Sequence, residues 1–212
     1  MSRVPVVHAI TNDEVLLRED FRDLARTVMT TLGARGAVHL RARWLSARRL
    51  YELGLLLAGW ENETGCWAVV NDRLDVACAS GVGAVQLTSR SISVSDAAAA
   101  WPRLRIGASV HSPADAAAAE NDGALWCVAG SAFPTASHPG EEPAGPDAVA
   151  AVAAAVRIPV IGIGGVSPES AAQLMRAGIH GVAAISGIWH APDVGEAAHR
   201  YLSAYDAHEG VS

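Results

Sequence analysis

The chain has 212 residues, half of them apolar and 18% charged, with a net charge of −6 at pH 7. That balance excludes a disordered protein and is ample for one buried core, so 1–212 is read as a single domain. No Lys/Arg run exceeds Arg48-Arg49, and no apolar run nears the ~18 residues of a membrane span, so neither nucleic acid nor membrane is an expected partner. The N-terminal MSRVPVVHAIT is too short and wrongly flanked for a signal peptide. Cys66, Cys78 and Cys127 are odd in number, widely spaced and set among apolar neighbours. They read as buried free thiols in a reducing cytoplasm, and no Cys/His cluster suggests a metal.

Strand-like segments at 4–11, 36–41, 66–71, 83–87, 104–109, 124–129, 158–163 and 181–186 alternate with helical ones. The helices are expected near 19–33, 46–60, 72–79, 95–101, 113–121, 146–156, 168–177 and 193–206. Eight β-then-α units predict an α/β fold of the (β/α)8 TIM barrel type. A doubly wound open sheet is the alternative, but it usually has fewer strands.

In the second strand, His39, Arg41 and Arg43 fall on one face and Val38 and Leu40 on the other. The apolar face suits the helix layer, so the cationic face points toward the barrel mouth. There the arginines meet either a substrate anion or carboxylates such as Asp72 and Asp75. Asn71 and Asp72 end the third strand; Asp72 either orients substrate or caps the next helix. Magnesium would need a second carboxylate, which the following Gln86–Ser91 loop does not offer.

The fifth strand ends at Ser109-Val110-His111, before a Ser112-Pro113 helix start. Residues 130–146, rich in Pro, Gly and Ser, have no periodicity and read as a mobile lid over the site. Thr135, Ser137 and His138 cluster there, and an imidazole on a closing loop either moves protons or is simply solvated. Late in the chain, IPVIGIGGV and GVAAISGI end two strands in small residues. Backbone N–H groups at Gly164, Gly165, Ser186 and Gly187 would cradle a phosphate; a plain tight turn is the competing reading.

Together HAITND, VHLRAR, VVNDRLDVA, AVQL, RIGASVHS, GSAFPTASHPG, PVIGIGGVSPE and GVAAISGIW, in that order, resemble the thiamine phosphate synthase/TenI superfamily. The chain is more similar to the TenI branch, the thiazole tautomerases. The synthases carry Gln-x-Arg-x-Lys where His39, Arg41 and Arg43 stand, a magnesium-binding Asp at the place of Ser91, and Thr-x-Thr-Lys in place of Thr135–His138. The resemblance implies an isomerase that moves a proton on a carboxylated thiazole phosphate, without cofactor. Arg41 and Arg43 would meet the carboxylate, with His39, Asn71, Asp72, Ser109, Thr135 and Ser137 around the substrate. The tautomerases' catalytic His position holds Ser131, so His138 or His111 is expected to carry the proton. Magnesium enters only under the synthase alternative; a non-catalytic thiazole or thiamine phosphate-binding protein is a third. Barrels of this size commonly pair, so a homodimer is expected.

Overall fold

The strands form because short β-branched and alanine-rich runs are bounded by Gly, Pro or capped helix starts. In the computed structural model, which describes residues 3–135, 140 and 142–209, these runs pair in parallel in chain order and close into a barrel. The first half contains β1 (Val7–Ile10), α1 (Asp13–Leu16), α2 (Phe21–Leu32), β2 (Gly36–Leu40), α3 (Ala47–Thr64), β3 (Trp67–Asn71), α4 (Leu74–Ser80) and β4 (Ala84–Leu87). After it come α5 (Val94–Ala100), β5 (Arg105–Val110), α6 (Pro113–Asn121), β6 (Trp126–Gly130), α7 (Pro146–Ala154), β7 (Val160–Ile163) and α8 (Pro168–Arg176). The last elements are β8 (Gly181–Ala184), α9 (Ser186–Trp189) and α10 (Val194–Glu209). Pairing of Val7 with Val182 and of His8 with Ala183 closes the ring.

Alternation along the strands separates two cores. Val38, Leu40, Ala68, Val70, Val85 and their equivalents pack outward against the helices. Ile10, Ala37, Trp67, Val69, Ala84, Trp126, Val128, Ile161 and Ala183 fill the barrel interior. Trp126 fits because Gly107 lies opposite it; a Cβ there would sit 2.1 Å from the indole. At the N-terminal ends of the strands, Arg105 lies over the Trp67 ring at 4.0 Å and pairs with Glu61. Ligand entry is thereby left to the opposite end.

The helix starts follow their hydroxyls. Ser46, Ser93 and Ser112 accept from backbone N–H groups three residues on, and Ser167 and Ser170 form a reciprocal box before α8.

Several boundaries differ from expectation. Asp72 does not cap α4: it has φ of 61°, and its carboxylate bonds into the β4 loop instead. Ser186 is not the end of a strand, because β8 stops at Ala184 and a single-turn helix follows. Cys78 is exposed whereas Cys66 and Cys127 are buried. On α4 the buried set is Leu74, Val76, Ala77 and Ser80, which turns Cys78 to solvent.

Candidate active site

A cavity of about 690 Å3 opens at the C-terminal ends of the strands. On one side it is lined by Gly164, Gly165 and Val166 after β7 and by Ile185, Ser186 and Gly187 after β8. Gly164 and Gly165 adopt φ of 99° and 61°, which favours glycine on conformational grounds alone. Their missing side chains make room mainly for protein. A Cβ on Gly164 would sit 2.5 Å from Ser131 Cβ, and one on Gly165 would sit 2.3 Å from the Pro134 carbonyl oxygen. The turn and the root of the β6 loop are therefore packed as one unit, with Ala132 and Phe133 N–H donating to Ile163 and Gly164 carbonyls. The amides of Gly165, Ser186 and Gly187 donate to no backbone acceptor among the described residues. They remain available to a ligand anion.

Across the mouth, Arg41, Arg43 and Arg90 line the same cavity. Arg41 is half-buried, and burial followed by repulsion from Arg43 and Arg90 lowers its pKa. A guanidinium nevertheless stays protonated. No ion pair to any of the three is present among the described residues: Asp75 pairs with Arg73, and Asp72 is engaged by hydroxyls. The loop that presents Arg41 and Arg43 is held by Asp13, whose carboxylate accepts from Arg43 N and Trp44 N, each at 2.8 Å, and from Leu45 N. Partial burial alone would raise the Asp13 pKa; these backbone N–H bonds outweigh it and hold the carboxyl below its ordinary value. Thr11 Oγ1 fixes the same loop by accepting from Arg41 N.

The floor consists of Asn71, Gln86, Ser109 and Val128. His39 shares the interior face with these residues but lies beneath them. It is fully buried, with Nε2 2.8 Å from His8 Nδ1 and Nδ1 3.1 Å from the Asn71 amide. Burial lowers the pKa of both imidazoles, that of His39 to about 4. His39 is thus a support for Asn71 and not a wall of the cavity.

Asp72 also stands back from the cavity. Its Oδ1 accepts from Thr88 N at 3.0 Å, Thr88 Oγ1 at 2.8 Å and Ser91 Oγ, so it shapes the loop that carries Arg90. These residues do not fit magnesium. The ion wants octahedral oxygen ligands with at least one free carboxylate, whereas Asp72 Oδ1 is taken by Thr88 and Ser91, and three guanidiniums crowd a mouth whose one lining carboxylate is Glu142. His111 is exposed and lines the rim; Ser131 and Thr135 line the cavity beside it. Ser137 and His138 lie outside the described residues.

The model of the family described as "Thiamine monophosphate synthase" matches residues 7–188. The chain belongs to that family. It is 35% identical over 191 residues to the thiamine-phosphate synthase of Chlorobium luteolum, covering 89% of this chain and 90% of the relative. Identity to the thiamine-phosphate synthase of Pyrococcus furiosus is 34% over 165 residues, 78% of this chain and 80% of the relative. Among solved structures, a thiamine phosphate pyrophosphorylase from Pyrococcus furiosus superposes with a TM-score of 0.84 and 30% identity, over 96% of each chain.

Reasoning from sequence missed Arg90 and Gln86 as lining residues of this cavity, and Asp13 as the anchor of its β2 loop. Asp13 sits in the HAITND segment, and a Gly-poor loop after an arginine strand is the one signal that some acceptor must tie it down. Arg90 gives no such signal, since only parallel pairing of β2 and β4 on either side of β3 brings their loops together.

Proposed function

We propose that the protein is a thiazole tautomerase-type isomerase acting on a carboxylated thiazole phosphate. The observation that carries this reading is Arg41, a half-buried cation beside Arg43 and Arg90 that feels Asp72 and Asp13 but forms no ion pair among the described residues, facing a cavity whose other side offers free amides. Such a cation is costly to bury unless an anion meets it. A ligand with a phosphate at one end and a carboxylate at the other answers both sides at once.

The phosphate takes the amides of Gly165, Ser186 and Gly187, and the carboxylate takes Arg41 with Arg43 or Arg90 in charge-assisted bonds. Guanidiniums at the carboxylate also stabilise negative charge that spreads into the ring as the adjacent carbon loses its proton. His111, at the rim, is the described imidazole that can take this proton and return it to the exocyclic carbon. His138 is the other candidate. Ser131 lines the cavity, but its hydroxyl neither gives up its proton nor takes a second one near neutral pH.

The test is conversion of the carboxylated thiazole phosphate to its aromatic tautomer in the presence of EDTA. Turnover that survives EDTA and falls at least a hundredfold in His111→Ala or His138→Ala supports the reading. Absence of turnover at high enzyme concentration overturns it. The names of the 34–35% identical relatives favour a second reading, thiamine phosphate synthesis with loss of pyrophosphate. Magnesium-dependent pyrophosphate release from a pyrimidine diphosphate plus thiazole phosphate would establish it.

A further inference from the structure

Beyond the last strand pair, Ile163 with Ala183, no backbone hydrogen bond among the described residues joins the β7 turn to the β8 turn. A side chain from the helix layer spans them instead. Tyr201, on α10, is buried, stands outside the cavity lining and donates its hydroxyl to the Val166 carbonyl at 2.8 Å. Val166 ends the β7 turn just before the Ser167 cap of α8, and no backbone N–H among the described residues reaches its carbonyl. Burial pushes the Tyr201 phenol up to about 12, so the hydroxyl keeps its hydrogen throughout the neutral range and can always donate.

The same oxygen accounts for a glycine in the other turn. Gly187 has no positive φ, so backbone conformation does not call for glycine there. Space does. A Cβ on Gly187 would sit 2.3 Å from the Tyr201 hydroxyl oxygen, while the ring carbon behind that oxygen, at 3.4 Å, is at ordinary contact distance. The tip of the phenol is thus wedged behind both turns, bonded to one and filling the room left by the missing side chain of the other. Gly187 is small for the sake of a tyrosine, as Gly164 and Gly165 are for the β6 loop.

We propose that Tyr201 is a positioning residue that fixes the spacing between the amide of Gly165 and those of Ser186 and Gly187, so that phosphate affinity is set from outside the cavity. Hydrogen bonds weaken steeply with misalignment, and several donors serve one anion well only if their separation is held. Without the hydroxyl, the Val166 carbonyl loses its donor and the two turns settle independently. This inference rests on the reading that these amides take a phosphate, but the wedge itself is testable without any ligand.

In thermal unfolding of the full chain, Gly187→Ala should lower Tm sharply in the wild-type background. In the Tyr201→Phe background it should cost less than half as much, because the methyl enters the space the oxygen has left. Equal losses in both backgrounds would overturn the wedge. If Gly187→Ala fails to fold, the amide spectrum of Tyr201→Phe decides: both turns, Gly165 to Ser167 and Ser186 to Gly187, should shift, and shifts confined to α10 would contradict the proposal. With inorganic phosphate as the probe, the Kd read from the Gly165 and Gly187 amides of the 15N-labelled chain should rise at least about fivefold in Tyr201→Phe. Leu57→Ala, a buried change on α3 beside β2 and β3, should leave it in place. An unchanged Kd in folded Tyr201→Phe, or an equal weakening in Leu57→Ala, would refute the positioning role. Wild-type amides that ignore phosphate would refute the phosphate reading of the turns, while the two-background comparison still decides whether Tyr201 spaces them.

Discussion

Arg41 and its two neighbours concentrate positive charge at the cavity mouth, only partly offset by Asp72 and Asp13 and without an ion pair among the described residues. Each charge-assisted bond to a ligand carboxylate contributes about 1.5–3 kcal/mol, so Arg41→Ala or Arg90→Ala should weaken binding of a carboxylated thiazole phosphate roughly tenfold to a hundredfold. Calorimetric titration checks this, and an unchanged Kd in Arg90→Ala would remove that residue from the site. Gly165 behaves differently. Its φ of 61° and the nearby Pro134 carbonyl mean that Gly165→Ala strains the turn and displaces the β6 loop root. A loss of about 1–3 kcal/mol of stability is expected in denaturant titrations, together with weaker phosphate binding. At this scale the sequence tells faces but not depths. The period of two put His39 with Arg41 and Arg43, yet height along the barrel axis makes His39 a buried support and the arginines cavity walls.

Elements explain how those residues are held. The β2 loop is gathered by Asp13, whose folded pKa is depressed by backbone N–H bonds. Its contribution is present above the unfolded carboxylate value of about 4 and is lost as pH falls through the lower folded value. Asp13→Asn should therefore be less stable than wild type at neutral pH, with the gap closing in acid. Urea titrations at neutral and acidic pH check the sign; a gap that widens in acid would contradict it. Beneath the floor, Trp126→Phe keeps the ring but strands the buried Gln86 Oε1, which should cost about 1–3 kcal/mol. The elements themselves were legible from serine caps, Ser-Pro starts and apolar strand runs. Asp72 was not, because a non-glycine residue at positive φ leaves no compositional trace and its hydroxyl partners lie sixteen to nineteen positions away.

For the molecule as a whole, barrel closure decides what the parts mean. It sets the β7 and β8 turns across from the β2 and β4 loops, making one cavity of segments spread from Ile10 to Gly187. The repeat of eight strand–helix units predicted that closure, and the Gly-Gly turn predicted which end would be open. What the repeat could not convey is charge geometry at the mouth, since Arg90 meets Arg41 only once β2 and β4 pair on either side of β3. The family's relatives share the scaffold, and in this chain three arginines line the mouth that the scaffold opens.

A crystal structure with the carboxylated thiazole phosphate bound, grown in EDTA, tests that arrangement most directly. The phosphate should lie on the amides of Gly165, Ser186 and Gly187, with the carboxylate within hydrogen-bond distance of Arg41. A phosphate seated among the arginines, or a ligand found outside the barrel mouth, would contradict it.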